Sequence, residues 1–173
     1  EISLGLVGSE MCIRDRFNSL SKTYGLAGAR VGFCIGNREV VSMLSTLKSN
    51  MDYGMFLPVQ KAAIAAVTGD QSCVAATRRA YQDRRDILCD GLTAIGWPVE
   101  RSRATMFVWA KLPGGRTDDQ AFAQELLAKT GVLMTPGSAF GPSGRGYLRI
   151  ALVQDEPEMR RAIEAIKSSG LLK

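Results

Sequence analysis

The sequence predicts an α/β fold from Phe17 onward, and three observations carry that prediction. Short apolar runs of strand length alternate with longer runs of helical period. Helix-opening signatures stand where the period changes, as at Thr117-x-x-Gln120 and Asp155-x-x-Glu158. Apolar residues make up 46% of the 173 residues, enough for a real core and too many for a disordered or fibrous chain.

Taken in order, Arg30 to Ile35 (RVGFCI) is a predicted strand. Asn37 caps a helix to about Asn50, with Val40, Val41, Leu44 and Leu47 on one face. A second, Ala-rich helix runs from about Val59 to Thr68 and ends where a C-cap glycine belongs, at Gly69. Asp70 opens a long helix in which Val74, Thr77, Tyr81, Leu88, Leu92 and Ile95 recur three, four or seven apart, and Gly96 closes it. At about 70–95 it is long enough to bridge two domains. A strand at Thr105 to Leu112 follows, then a helix capped at Thr117, strands at Val132 to Met134 and Tyr147 to Leu152, and a last helix with Pro157 in its first turn. Met159, Ala162, Ile163 and Ile166 form that helix's apolar stripe. Residues 1–16 show no period that leads into the rest. GSEMCIRDR resembles translated adapter or vector sequence, and the segment is expected to be foreign to the protein.

Composition excludes much chemistry. The chain has no histidine, so a Ser-His-Asp triad, a Cys-His pair or a His-built zinc site cannot be assembled from it. Cys12, Cys34, Cys73 and Cys89 form no C-x-x-C pair, which speaks against zinc ribbons and for thiols in a reducing compartment; no metal is expected. The net charge is +5, and Arg78, Arg79, Arg84 and Arg85 cluster on one predicted helix. Asp83, Asp86 and Asp90 interrupt them, which favours a paired, solvated face over a nucleic-acid surface. No uncharged apolar run reaches membrane-spanning length, and the N-terminus lacks the order of a signal peptide, so a soluble cytoplasmic protein without membrane contact is the expectation.

One stretch stands out for chemistry: Phe17 to Phe33, FNSLSKTYGLAGARVGF. It places a lysine after a hydroxyl-rich strand end, then glycines, then an arginine eight residues on. A lysine amine attacks a carbonyl only in its neutral form, which loss of water and a nearby cation favour, and a guanidinium grips phosphate oxygens at two points. Ser19, Ser21, Lys22, Gly28, Arg30 and Gly32 all sit at the spacing of the lysine motif of class I and II aminotransferases of fold type I, which the stretch resembles. The plain alternative is an exposed lysine at a strand end and an arginine in a surface ion pair.

The resemblance implies a pyridoxal 5'-phosphate enzyme in which Lys22 forms the Schiff base and Arg30, Ser19 and Ser21 hold the cofactor phosphate. Tyr147 to Leu152 (YLRIAL) resembles the strand carrying the family's substrate arginine, which makes Arg149 the α-carboxylate clamp; an alternating strand with Arg149 facing solvent is its alternative. LKSNMDYGMF, ATMFVWA and GVLMTPGSAFG resemble the alanine and LL-diaminopimelate aminotransferase branch. In that family the loop matching Ser49 to Gly54 reaches the other subunit's active site, so Asp52 and Tyr53, with Met51, are candidate substrate residues; an ordinary polar turn fits equally. Pro136 to Gly141 is expected to wall the substrate, or to be an irregular structural loop.

The implied fold is a fragment: the end of the large domain's mainly parallel sheet over 17–80, then the small C-terminal α/β domain over 81–173. The implied reaction moves an amino group between an amino acid and a 2-oxo acid, in a homodimer when the protein is complete. The family's front part, with the acid at the pyridine nitrogen and the ring stacked on the cofactor, has no match here. Other lyase, decarboxylase or synthase chemistry on the same lysine stays open. So does a serine acyl hydrolase, since Ser19-Leu20-Ser21-Lys22 satisfies S-x-x-K and Lys129-Thr130-Gly131 satisfies K-T-G, although no S-D-N accompanies them.

Overall fold

The computed structural model of the chain describes residues 16–172, which form two compact units parted between Thr77 and Arg78. Residues 1–15, with Cys12 and nearly all of the suspected foreign segment, lie outside the described residues. Arg16 lies within the fold as the first residue of a strand.

In the first unit, β1 (Arg16–Ser19) pairs antiparallel with β2 (Gly32–Ile35), in register from Arg16 with Ile35 to Ser19 with Gly32. Antiparallel is the minority direction in the mainly parallel sheet that the resemblance implies. A side chain at position 32 would meet the Asn18 carbonyl oxygen at 2.6 Å, so the close approach of the strands demands glycine there. Between the strands lie a one-turn helix, α1 (Leu20–Thr23), and a 3-10 turn at Ala27–Ala29. Arg30 ends that turn in the left-handed region, at φ 52° and ψ 45°. The strand expected from Arg30 therefore begins only at Gly32, because a left-handed residue cannot continue a pleat.

Asn37 caps α2 (Arg38–Met51) by accepting from the amides of Glu39 at 2.8 Å and Val40 at 3.3 Å. α3 (Leu57–Thr68) ends at Gly69, as expected, but for another reason. Gly69 is extended, not left-handed, and a Cβ on it would lie 2.6 Å from the Ala65 carbonyl oxygen. Leu20 and Val31 are the buried apolar side chains of this unit, whereas Phe17 and Phe56 are 73% and Ile64 59% exposed. The apolar faces of its elements are left uncovered within the unit.

α4 (Ser72–Ala94) contains the boundary between the units, and its first turn is held by the Asp70 carboxylate, which accepts from the Ser72 amide at 3.0 Å. The second unit has a closed core. β3 (Phe107–Lys111), β4 (Thr135–Pro136) and β5 (Tyr147–Ala151) form an antiparallel sheet in the order β3-β5-β4. Alternation sends Val108, Ala110, Leu148 and Ile150 to one face, where they meet Leu88 and Leu92 of α4. Trp97 is fully buried, with its ring edge against Phe122 at 5.6 Å and its Nε1 donating to the Lys111 carbonyl at 2.7 Å. α5 (Asp119–Thr130) and α6 (Glu156–Ser168) complete the layer with Phe122, Leu126, Met159, Ile163 and Ile166. The stripe expected on α6 is the buried one, and its expected cap is present, Asp155 accepting from the Glu158 amide at 3.1 Å.

Two expectations are corrected here. The cap of α5 is Asp118, which accepts from the Ala121 amide at 2.9 Å, and not Thr117. A carboxylate makes the stronger, charge-assisted cap, and starting there turns Asp119 inward. The strand expected at Val132 to Met134 lies instead at Thr135–Pro136, because only those residues come opposite Arg149 and Leu148 of β5.

Candidate active site

Ser19 ends β1 and caps α1: its Oγ accepts from the Ser21 amide at 3.1 Å and lies 2.8 Å from the Ser21 Oγ. One turn of helix thus brings two hydroxyls together and sets Lys22 beside them, exposed. The Leu20 amide donates to the Val31 carbonyl at 3.3 Å, and the Ser19 hydroxyl reaches the same oxygen at 3.5 Å. Arg30, next in the chain to Val31, is tied by these bonds to the start of the turn that carries Lys22. Its Nη1 donates to the Ala27 carbonyl at 3.1 Å. A non-glycine residue in left-handed backbone is strained by about 1–3 kcal/mol, and such strain gathers at functional sites; no residue pattern announces it.

Asp52 ends α2, pairs with Lys48 and accepts from the Gly54 amide at 3.3 Å. The hydrogen bond from Lys48 holds its carboxyl below the usual range. Tyr53 follows in left-handed backbone at φ 56° with its side chain 94% exposed. The partners of Asp52 are thus local, and Tyr53 presents its ring outward.

Arg149 belongs to the second unit. On β5 it sits opposite Trp109 of β3, on the sheet face away from the core. Its guanidinium carbon lies over the Phe107 ring and over the Phe140 ring, 4.4 Å from each centroid. Trp109 stacks on Tyr147 at 5.7 Å and meets Phe140 edge-on at 5.8 Å. Arg149 Nε is buried with no hydrogen-bond partner among the described residues. An unpaired buried donor costs about 1–3 kcal/mol, so this arginine, set between two rings, keeps donor capacity that no described residue uses. Of the loop Pro136 to Gly141, Phe140 is the residue whose ring meets this arginine, at the end of the turn Gly137–Phe140.

Two residues here escaped sequence reasoning. Asp119 is buried at 3% exposure and accepts from the Ser138 amide at 2.7 Å. Thr105 leads into β3 at φ 76°, a costly angle for a β-branched residue. The aspartate pair Asp118-Asp119 at a helix start was the available signal for the first; nothing in the sequence marks the second.

The acyl-hydrolase alternative loses its geometry. Lys129 and Thr130 end α5, Gly131 caps it at φ 70°, and Lys129 pairs with Glu125, so K-T-G does not lie along a strand. Two of the four arginines of α4 pair with acids of the same helix, Arg79 with Asp83 at 3.1 Å and Arg85 with Asp86 at 2.7 Å, and Arg84 donates to the Leu152 carbonyl at 3.2 Å. No described helix is long and apolar enough to cross a membrane.

Comparison with known proteins identifies the chain's family. A family model described as aminotransferase class I and II matches residues 16–166. The LL-diaminopimelate aminotransferase of Moorella thermoacetica is 46% identical over 151 residues, which is 87% of this chain and 38% of that protein. The glutamate-pyruvate aminotransferase AlaC of Escherichia coli is 45% identical over 154 residues, 88% of this chain and 37% of that protein. Among solved structures, substrate-bound BacF from Bacillus subtilis superposes with a TM-score of 0.88 at 29% identity, covering 94% of this chain and 42% of that one. An aminotransferase from Staphylococcus aureus gives 0.84 at 29% identity, covering 92% and 42%. The chain therefore spans about two fifths of the length of the relatives it matches. Over that length, in sequence and in fold, it belongs to the class I and II aminotransferases.

Proposed function

We propose that the complete protein is a pyridoxal 5'-phosphate-dependent aminotransferase of the cytoplasm, acting as a homodimer. It moves an amino group between an amino acid, of the alanine, glutamate or diaminopimelate kind, and a 2-oxo acid. The observation that carries the reading is the turn Ser19 to Thr23, which sets Lys22 beside two hydroxyls 2.8 Å apart with Arg30 tied to its start.

The donor set fits a phosphorylated cofactor. The Ser19 and Ser21 hydroxyls and the Arg30 guanidinium, which has donors beyond the one given to Ala27, suit a phosphate dianion. Among the described residues beyond its chain neighbours, nothing lies within 4 Å of a Cβ built on Gly28, so no contact among them requires glycine there. Its bareness leaves room at the turn before Arg30.

Lys22 would hold the cofactor through Nζ, and the same amine, when free, would take and return the proton at the substrate's α-carbon. The bound cofactor supplies a ring that accepts the resulting carbanion charge. Arg149 takes the α-carboxylate through its guanidinium and so orients the α-carbon; Phe107 and Phe140 hold the planar cation in place. Asp52 and Tyr53 shape the choice of side chain. The names of the similar proteins support this substrate class.

The experiment is Lys22→Ala in the full-length protein. Transamination of alanine with 2-oxoglutarate should vanish. Turnover within about tenfold of the parent, a loss of only ~1.4 kcal/mol, would sink the assignment.

A further inference from the structure

Asp119 is the one charged side chain buried among the described residues, and the proposed chemistry makes no use of it. A buried carboxylate is costly unless its hydrogen bonds are made, so what it binds is informative. It opens α5 and accepts from the Ser138 amide, 19 residues away, at 2.7 Å. Burial acts to raise its pKa, but hydrogen bonds from the Ser138 side chain and amide and from the amides of Asp119 and Gly146 outweigh it and hold the carboxyl below its usual range. The group stays ionised and its bonds stay charge-assisted.

Ser138 begins a loop with one conspicuous occupant. The turn Gly137–Phe140 ends in the ring that lies 4.4 Å from the Arg149 guanidinium carbon. At the base of the loop Gly137 and Gly144 touch: a Cβ on Gly137 would lie 2.1 Å from the Gly144 oxygen, and one on Gly144 would lie 2.0 Å from the Gly137 oxygen. That crossing closes the loop at its base; beyond it Gly141 follows Phe140 at φ 116°, and its amide donates to the Ser138 carbonyl at 3.1 Å, which closes the turn on itself. The bond from the Ser138 amide to Asp119 ties that turn to the start of α5.

We propose that Asp119 is a positioning residue for Arg149: its carboxylate fixes the turn that lays Phe140 against the guanidinium, and so fixes the direction in which that guanidinium meets a carboxylate ligand. The assignment rests on the reading of Arg149 as the α-carboxylate group, and the two are tested apart.

The test uses the full-length protein and three variants. Asp119→Ala removes the acceptor, Asp119→Asn keeps an acceptor oxygen, and Phe140→Leu removes the ring while leaving the tether. In cofactor-free protein, site-resolved mass spectrometry follows phenylglyoxal modification of Arg149 and amide exchange over Ser138 to Phe140. Asp119→Ala should accelerate both by about tenfold, the worth of one charge-assisted bond. Asp119→Asn should stay within a few-fold of the parent, and Phe140→Leu should speed modification without speeding exchange. An Arg149 rate unchanged in Asp119→Ala overturns the proposal. Should Asp119→Ala lose exchange protection throughout the core, the comparison of Phe140→Leu with Asp119→Asn decides: equal Arg149 rates in both reject the tether. In the loaded enzyme the Michaelis constant for alanine should rise in parallel with the modification rate while kcat holds. A modification rate that responds while that constant does not supports the positioning and refutes the carboxylate reading alone.

Discussion

Replacing Arg149 with lysine keeps the positive charge and removes everything else the site supplies. The guanidinium offers a planar fork with two parallel donors to a carboxylate, and it lies 4.4 Å from the rings of both Phe107 and Phe140. An ammonium on a flexible stem keeps one good hydrogen bond and cannot lie flat over either ring. Losing one charge-assisted hydrogen bond costs ~1.5–3 kcal/mol, so kcat/KM for an amino acid should fall by about 10- to 150-fold. Loss of ring contact adds to the deficit, at ~0.5–2 kcal/mol. The assay is initial rates of the full-length enzyme with L-alanine and with ethylamine, which has no carboxylate. The loss should fall on alanine, mostly in KM, with ethylamine turnover unmoved. Equal losses for both amines, or a change of less than about threefold, would refute the carboxylate grip.

Arg30→Ala should weaken cofactor retention by ~1.5–3 kcal/mol, read as a 10- to 150-fold rise in the cofactor dissociation constant. Arg30→Gly, which suits a φ of 52°, should show the same loss without the backbone strain; an unchanged constant in both rejects the phosphate role. Asp52→Ala and Tyr53→Phe should alter preference among alanine, glutamate and diaminopimelate, measured as ratios of kcat/KM, and identical ratios would leave that turn structural. The 173-residue chain alone should show no transamination with added cofactor and should aggregate by light scattering, because its first unit buries little besides Leu20 and Val31 while Phe17, Phe56 and Ile64 lie exposed. A monodisperse, active product would contradict this.

What could be read from the sequence was what local chemistry decides. Asn37 and Asp155 announce helix starts because a side-chain acceptor must meet orphan amides within three residues, and the stripe Met159, Ile163, Ile166 announces a buried face by spacing alone. Lys22, Ser19, Ser21 and Arg30 were read as a group because their spacing resembles a family motif, and the fold keeps Ser19, Ser21 and Lys22 on one turn. Where two local solutions compete, the sequence was blind: Thr117 and Asp118 can both cap, and the buried partner of Asp119 decides between them. Strand β4 was misplaced because its register is dictated by β5, a distant segment. The aromatic setting of Arg149 depends on Phe107 arriving by strand pairing and Phe140 by a loop closed on itself, neither of which leaves a local trace. The positive φ angles at Arg30, Tyr53 and Thr105 run against the preference of those residue types and so leave no trace in the sequence.

The central claim is that Lys22 carries the cofactor, and covalent labelling addresses it most directly. The full-length protein would be loaded with pyridoxal 5'-phosphate, reduced with borohydride, digested and read by mass spectrometry for the added phosphopyridoxyl group. The account expects one stoichiometric label on the peptide holding Ser19 to Arg30, at Lys22, with the visible absorbance bleached in step. A stoichiometric label on another lysine, such as Lys48 or Lys61, with Lys22 unmodified, would contradict it.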